Sequence, residues 1–291
     1  MHSYAAYRFA ELLSRALPLR QAYWVGLRLA DLSYFRQPAQ RAAIQRNLLR
    51  IYTAEGIQPS PGHLRGMTRK LYQYFGKYMV DFFRCARLPP ETIQRQVSFQ
   101  HLDFLHEAIA LGRGVILVSA HFGNWELGGA MLAALGHRVN VVVQPQQQPR
   151  LERLLDHHRT RRGLRVIPLG RAGRGVIQCL RRGELVALLA DRVFTGRHAS
   201  CPFFGQAVQL PTGPAALAYH TGAPVVPAFL LRQEDDTFLL RCHPPILRDR
   251  EGTQAAIQQA IVRSLQAEIG ARPHQWFIFD DFWTQPGGSP A

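Results

Sequence analysis

The 291-residue chain is long enough to bury a large core, as one domain or two modest ones, and its 47% apolar content excludes a disordered tail. Its net charge of +15 is carried almost wholly by arginine, with Lys70 and Lys77 the only lysines. That balance fits either an arginine-favouring genome or a surface that meets nucleic acid, an anionic membrane or an acidic protein. Cys85, Cys179, Cys201 and Cys242 are scattered without CxxC spacing, which argues against a zinc ribbon or a disulfide framework and makes a reducing cytoplasm the default. Arg8 and Glu11 interrupt any early apolar region, so no signal peptide is visible. The longest run without charged side chains, Ala199 to Leu231, contains five prolines and cannot be a spanning helix.

In chain order, residues 4 to 35 read as helix, with Phe9, Leu12, Leu13, Ala16 and Leu17 at helical spacing and a break at Pro18. In "QAYWVGLRLADLSYF" the apolar face is wide. Its Tyr23, Trp24, Tyr34 and Phe35, beside Arg20, Arg28 and Arg36, suit either an interfacial membrane anchor or packing on the protein's own core. "QPAQRAAIQRNLLRIY" and "LRGMTRKLYQYFGKYMVDFFRCARL" predict two more helices, the second ending before Pro89. The first hundred residues therefore read as helical throughout.

From Gly112 strands and helices alternate. "GVILVSAH", "RVNVVVQ", "LRVIPL", "ELVALLAD", "APVVPAFLLR" and "TFLLRCHPPI" read as strands, and "RVFTGRHASCPFFGQAVQL" as a loop. The helices between them include one from about Asn124 to Leu135 and the basic "LERLLDHHRTRRG"; "TQAAIQQAIVRSLQAEIGARP" closes the series. This alternation predicts an α/β fold with a largely parallel, mixed central sheet flanked by helices and an antiparallel edge near residue 240. The expected organisation is a helical N-terminal region, residues 1–100, packed with an α/β core, residues 101–291, as one compact domain.

The chemistry concentrates after the first of these strands. His121 follows "VILVSA" directly, at the carboxyl end where open α/β sheets gather their ligands, and Gly123 permits a tight turn. Glu126 falls in the first turn of the next helix, five residues on, so that the carboxylate can face the imidazole, fix its tautomer and raise its basicity. That pair is an oriented general base without a nucleophile of its own, which leaves the nucleophile to a substrate. The plainer alternative is a structural histidine and a glutamate that favours a helix N-terminus. No G-x-S-x-G elbow or Walker motif is present, "GRAGRG" matches the dinucleotide fingerprint poorly, and the other histidines lack metal-ligand spacing.

"HFGNWE" resembles the H-x4-[D/E] motif of bacterial lipid acyltransferases, in the branch of the late lipid A acyltransferases and the phosphatidylinositol mannoside acyltransferases. The resemblance continues through "GLRVIPLGR", "LRRGELVALLADR", "PFFGQAVQLPTGPAALAYHTGAPVVPAFLLR" and "WFIFDDFW". It implies a glycerolipid-acyltransferase-like fold. It also implies transfer of a fatty acyl group from acyl carrier protein or acyl-coenzyme A to a hydroxyl, sometimes an amine, of a membrane glycolipid or phospholipid precursor, without metal or cofactor. His121 then corresponds to the general base and Glu126 to its orienting partner. Asn124, with main-chain N–H groups, is a candidate for the oxyanion, and Thr212 and Gly213 for a phosphate or the scissile carbonyl, with a plain helix cap as the alternative. Asp191 ends a strand on the sheet edge of His121.

Two departures bear on the acceptor. Arg192 follows Asp191 where relatives commonly have glutamine, and Gln144 precedes Pro145 where relatives often have arginine. The basic run from Arg150 to Arg182 suits docking of an acidic carrier protein, coenzyme A phosphates or anionic lipid, or is simply a solvated face. The aromatic tail, Trp276 to Trp283, is placed either near the membrane and acyl chain or in the core. The expected setting is peripheral, on the cytoplasmic face of the bacterial inner membrane, with no nucleic-acid partner. An inert lipid-binding homologue and, less in keeping with the motifs, a basic nucleic-acid-binding protein are the competing readings.

Overall fold

The computed structural model describes residues 4–85, 89–194 and 196–284. Four helices come first: α1 (Tyr4–Ala16), α2 (Leu19–Arg36), α3 (Pro38–Ala54) and α4 (Pro61–Cys85), the last expected to reach Leu88, which lies outside the described residues. Pro18 parts α1 from α2, and Pro38 and Pro61 open α3 and α4 at a position where a missing N–H is harmless. α2 and α4 cross closely at Gly26 and Gly76, where a Cβ on Gly76 would stand 2.7 Å from the Gly26 carbonyl oxygen. The short α5 (Pro90–Arg95) leads into β1 (Val97–Gln100) and α6 (Leu102–Ala110). The helical region thus ends before residue 97, because four residues of "VSFQ" pair with a strand that lies far along the chain.

The remainder alternates as expected: β2 (Val115–Ser119), α7 (Trp125–Ala134), β3 (Val139–Val143), α8 (Pro149–Arg161), β4 (Arg165–Pro168), α9 (Ala172–Arg181) and β5 (Leu185–Leu189). After these come β6 (His198–Phe203), β7 (Gln206–Pro211), α10 (Gly213–Thr221), β8 (Val225–Arg232), β9 (Phe238–Cys242), α11 (Arg248–Glu251) and α12 (Gln254–Ala271). Seven strands form one sheet in the order β1-β9-β8-β2-β5-β3-β4, parallel throughout except between β8 and β9. The antiparallel strand near residue 240 is therefore present, but β1 lies outside it and forms the edge. β6 and β7 make a separate antiparallel hairpin in the stretch expected to be a loop. Pro202 and Pro211 hide that hairpin in the sequence, since each removes a ladder donor and is tolerated only because both strands are edges.

β2 sits at the centre with its first four residues fully covered, as an unbroken aliphatic run requires when helices lie on both faces. One apolar cluster forms on each face, and a third joins α2, α3 and α4 to Phe277 near the C-terminal end. The aromatic stripe of α2 divides: Tyr23 and Tyr34 are buried, whereas Trp24 and Phe35 are 58% and 65% exposed. Phe9 and Leu12 of α1 are likewise turned outward. The stripe is therefore split between the protein's own core and its surface. No helix among the described residues is long and apolar enough to cross a membrane.

Candidate active site

The chain leaves β2 through Ala120 and His121 and turns at Gly123, whose φ of +63° and packing admit only glycine: a Cβ there would come 2.1 Å from the Leu230 carbonyl oxygen. Asn124 then caps α7, its Oδ1 accepting from Leu127 N at 3.1 Å while its Nδ2 donates to buried Asp81 at 3.0 Å. Both ends of the Asn124 side chain are committed to the scaffold. The cap fixes its orientation, and Asn124 does not border the cavity on which His121 opens, so the structure does not bring it to the place expected of an oxyanion donor.

The imidazole of His121 is oriented by Asp191, not by Glu126. Strands β2 and β5 are paired in parallel with Ser119 beside Leu189, so two residues past each strand end His121 and Asp191 meet. His121 Nδ1 lies 2.9 Å from Asp191 Oδ1, and the main-chain N–H of His121 donates to Oδ2 at 2.9 Å. The Trp276 indole N–H donates to the same Oδ2 at 3.0 Å. Since the carboxylate can only accept, Nδ1 carries the proton and Nε2 is left as the basic nitrogen. Burial pushes the pKa of Asp191 up, but its electrostatic interaction with His121 and the hydrogen bonds from His121 and Trp276 outweigh it, and the carboxyl is held below its usual value.

Glu126 is also buried, and its Oε1 accepts from Arg159 Nε and Nη2 at 2.9 and 2.7 Å, with Arg162 3.9 Å from Oε2. Burial raises its pKa; the charges of Arg159 and Arg162, the Arg159 hydrogen bond and His121 together outweigh this and keep it ionised below the usual range. The expectation that Glu126 orients the ring is corrected by these contacts. The first helical turn after Gly123 rotates Glu126 toward α8, where two arginines of the basic run face inward.

His121 opens on a cavity of about 1630 Å³, well above the size usual for a small-molecule site, with Trp125 and Phe194 edge-on to the ring at 5.3 and 6.1 Å. One part of the cavity runs under α7 against the apolar side chains of Leu117, Leu132, Val141, Ala187 and Leu240. Gly128 and Gly129 of α7 also border it. Other walls come from α1, α2, the hairpin and the C-terminal segment, where Phe277, Phe279, Phe282 and Trp283 line the space while Trp276 is buried. The main-chain N–H of Phe277 donates to His121 O at 2.8 Å, so this segment also pins the histidine loop.

Of the expected binding residues, Gln144, Asp191 and Arg192 border the cavity; Arg192 is ion-paired with Asp280. Asn124, Arg150, Thr212 and Gly213 do not border it. Arg150 is exposed on the first turn of α8, and Thr212 Oγ1 donates to the Arg197 carbonyl at 3.1 Å; although Thr212 stands at the start of α10, its side chain makes no capping bond. The exposed arginines 153, 161, 165, 174, 181 and 182 remain on the surface. Sequence reasoning named Arg159 only within the basic run and Trp276 only within the aromatic tail, without a role beside His121, and did not single out Ser119 or Asp280. Nothing local marks the first, and the tail motif "WFIFDDFW" was the only pointer to the segment holding Trp276 and Asp280.

A histidine held by a buried carboxylate and opening on a large, mostly apolar cavity is an arrangement that can take a proton from a substrate's own nucleophile. The chain belongs to the family described as bacterial lipid A biosynthesis acyltransferase, which it matches over residues 3–285, and it is an acyltransferase. It is similar to the phosphatidylinositol mannoside acyltransferase of Mycobacterium tuberculosis, with 29% identity over 96% of this chain and 87% of the relative. The Mycolicibacterium smegmatis protein of that name is 27% identical over 93% of this chain and 88% of its own. The lipid A biosynthesis lauroyltransferase of Escherichia coli is 24% identical over 94% and 89%.

Proposed function

We propose that this acyltransferase moves a fatty acyl group from an acyl thioester, carried by acyl carrier protein or coenzyme A, to a hydroxyl of a membrane glycolipid or phospholipid precursor. The observation that carries the reading is the Asp191–His121 pair at the mouth of a cavity with an apolar arm. His121 Nε2 takes the proton of the acceptor hydroxyl as its oxygen attacks the thioester carbonyl. The tetrahedral intermediate collapses with loss of the C–S bond, and the departing thiolate recovers the proton from the imidazolium. Asp191 stabilises the imidazolium in between. Glu126 and Arg159 border the same space as an ion pair. The arm under α7 holds the acyl chain. The relatives' names supply the class of acceptor.

The exposed Phe9, Leu12, Trp24 and Phe35, with Arg8, Arg20 and Arg28 beside them, make the N-terminal helices the face that meets an anionic membrane, on the cytoplasmic side. Replacing Trp24 and Phe35 by glutamate weakens co-sedimentation with anionic vesicles by roughly 1–3 kcal/mol per residue, the value of an apolar side chain withdrawn from burial. The test of the chemistry is mass spectrometry of lipids incubated with an acyl thioester and the wild type or His121→Ala. A lipid that gains one acyl mass with the wild type alone is the expected result. Transfer at equal rates by both proteins removes His121 from the mechanism.

A further inference from the structure

The turn that carries His121 lies beyond the sheet. The bond from Ala190 N to Ser119 O, 2.9 Å long, closes the ladder between β2 and β5, so residues 121–124 are held by other groups. Most of these come from far along the chain, after α12. Gly123 N donates to the Gln275 carbonyl at 2.9 Å, Phe122 makes a single antiparallel bridge with Trp276, and Phe277 N donates to His121 O at 2.8 Å. The same segment supplies the Trp276 indole whose N–H Asp191 accepts. Both members of the pair therefore depend on where residues 275–277 lie.

The side chain of Gln275, 1% exposed, ties that segment to β8. β8 runs on to Arg232, but its pairing with β2 ends at Pro227, so beyond that point this edge takes its partners from elsewhere. Leu230 O accepts from Asn124 N at 2.8 Å. At Arg232 the Gln275 amide stands in for a paired strand. Arg232 N donates to Gln275 Oε1 at 3.0 Å, and Gln275 Nε2 donates to the Arg232 carbonyl at 2.9 Å. The buried Arg232 guanidinium is meanwhile paired with Asp81, which accepts from Asn124 Nδ2 at 3.0 Å and from the Tyr23 hydroxyl at 2.6 Å. Through its main chain Arg232 anchors Gln275, and through its side chain and Asp81 it anchors the cap of α7. One residue of β8 thus grips the histidine turn by two routes.

We propose that Gln275 is a positioning residue for the His121–Asp191 pair: its amide locks residues 275–277 onto β8 and thereby keeps the imidazole in the Nδ1–H tautomer against Asp191. Gln275 does not border the cavity, so it acts through the groups it holds and not on a substrate. The inference rests on His121 as the base, and its test includes a readout that needs no substrate. Long-range nitrogen–proton correlation spectra of the full chain report the tautomer of the His121 ring, assigned by the signal that His121→Ala removes. The wild type shows the Nδ1–H form. Gln275→Met keeps the length of the side chain but not the paired donor and acceptor. In that variant both tautomers appear. Its kcat for acyl transfer falls about ten- to a hundredfold, the cost of a base displaced by an ångström or less, while KM for the thioester is unchanged. Gln275→Glu has the same shape and loses only the donor to the Arg232 carbonyl. It moves both readouts the same way by less, and serves if the methionine variant does not fold. A folded variant that melts earlier but keeps the single tautomer and the wild-type kcat makes Gln275 structural only and overturns the proposal, as does a loss confined to KM. Absence of acyl transfer by the wild type overturns the acyltransferase reading instead and leaves the tautomer result standing.

Discussion

Asp191 and Glu126 are both buried at the site, one at the end of β5 and the other in the first turn of α7, yet the two regions surround them with different kinds of donor. Asp191 accepts from neutral N–H groups: a main-chain amide, an indole and the imidazole itself. Glu126 faces the guanidinium of Arg159, with that of Arg162 close by. Neutral donors hold a carboxylate in place without cancelling its charge, so the charge of Asp191 is available when the imidazolium forms. The charge of Glu126 is already balanced. A carboxylate near a base is therefore weighed by what else it binds as much as by its proximity.

That contrast can be broken by substitution. Asp191→Asn should reduce kcat about a hundredfold or more, since the amide no longer enforces the Nδ1–H tautomer nor stabilises the cation, with KM for the thioester little changed. Steady-state kinetics check it. Glu126→Gln should lower kcat less but leave Arg159 and Arg162 without their counter-charge, at a cost of about 3 kcal/mol in denaturant unfolding. A stable Glu126→Gln protein with kcat as low as Asp191→Asn would erase the distinction.

The smallest effect is on stability against pH. Asp191 and Glu126 have folded pKa values below their ordinary 3.8 and 4.5, so their contributions are present above those values and are lost only as pH falls through the lower folded ones. His274 differs: burial, with Lys70 and Arg272 nearby, pushes it down to about 3. Between pH 6.5 and about 3 the unfolded chain binds a proton there that the folded chain does not, so stability already declines as pH drops below 6.5. Buried His158 acts in the same direction, its pKa lowered by burial and Arg162. Thermal melts from pH 7 to pH 4 should therefore fall early, and His274→Gln should reduce that early fall by a few degrees.

Much of the fold was legible because its strands are unbroken aliphatic runs bounded by glycine and charge, a pattern that burial on both faces imposes. β1 was not legible, since a four-residue edge strand carries too little pattern and owes its form to β9. The hairpin was hidden by its prolines. Within the site, the sequence pointed to His121 and placed Asp191 on the right edge. It chose the wrong partner because five residues of separation are visible along the chain, while the register between β2 and β5 is not. Asn124 and Thr212 carry the residue types of a binding site and of a helix start alike. Only their actual partners decide: Leu127 N makes Asn124 a helix cap, whereas the Arg197 carbonyl ties Thr212 to the segment before β6.

The strand order has a bearing on how the protein is made. β2, which carries His121, lies between β5 and β8, and these follow it by roughly seventy and more than a hundred residues in the chain. The indole that completes the grip on Asp191 comes later still. Chains that grow from the N-terminus and rely on such distant pairings close slowly. The N-terminal helices are thus made long before the partners that hold the histidine, whose surroundings are complete only once nearly the whole chain has been synthesised.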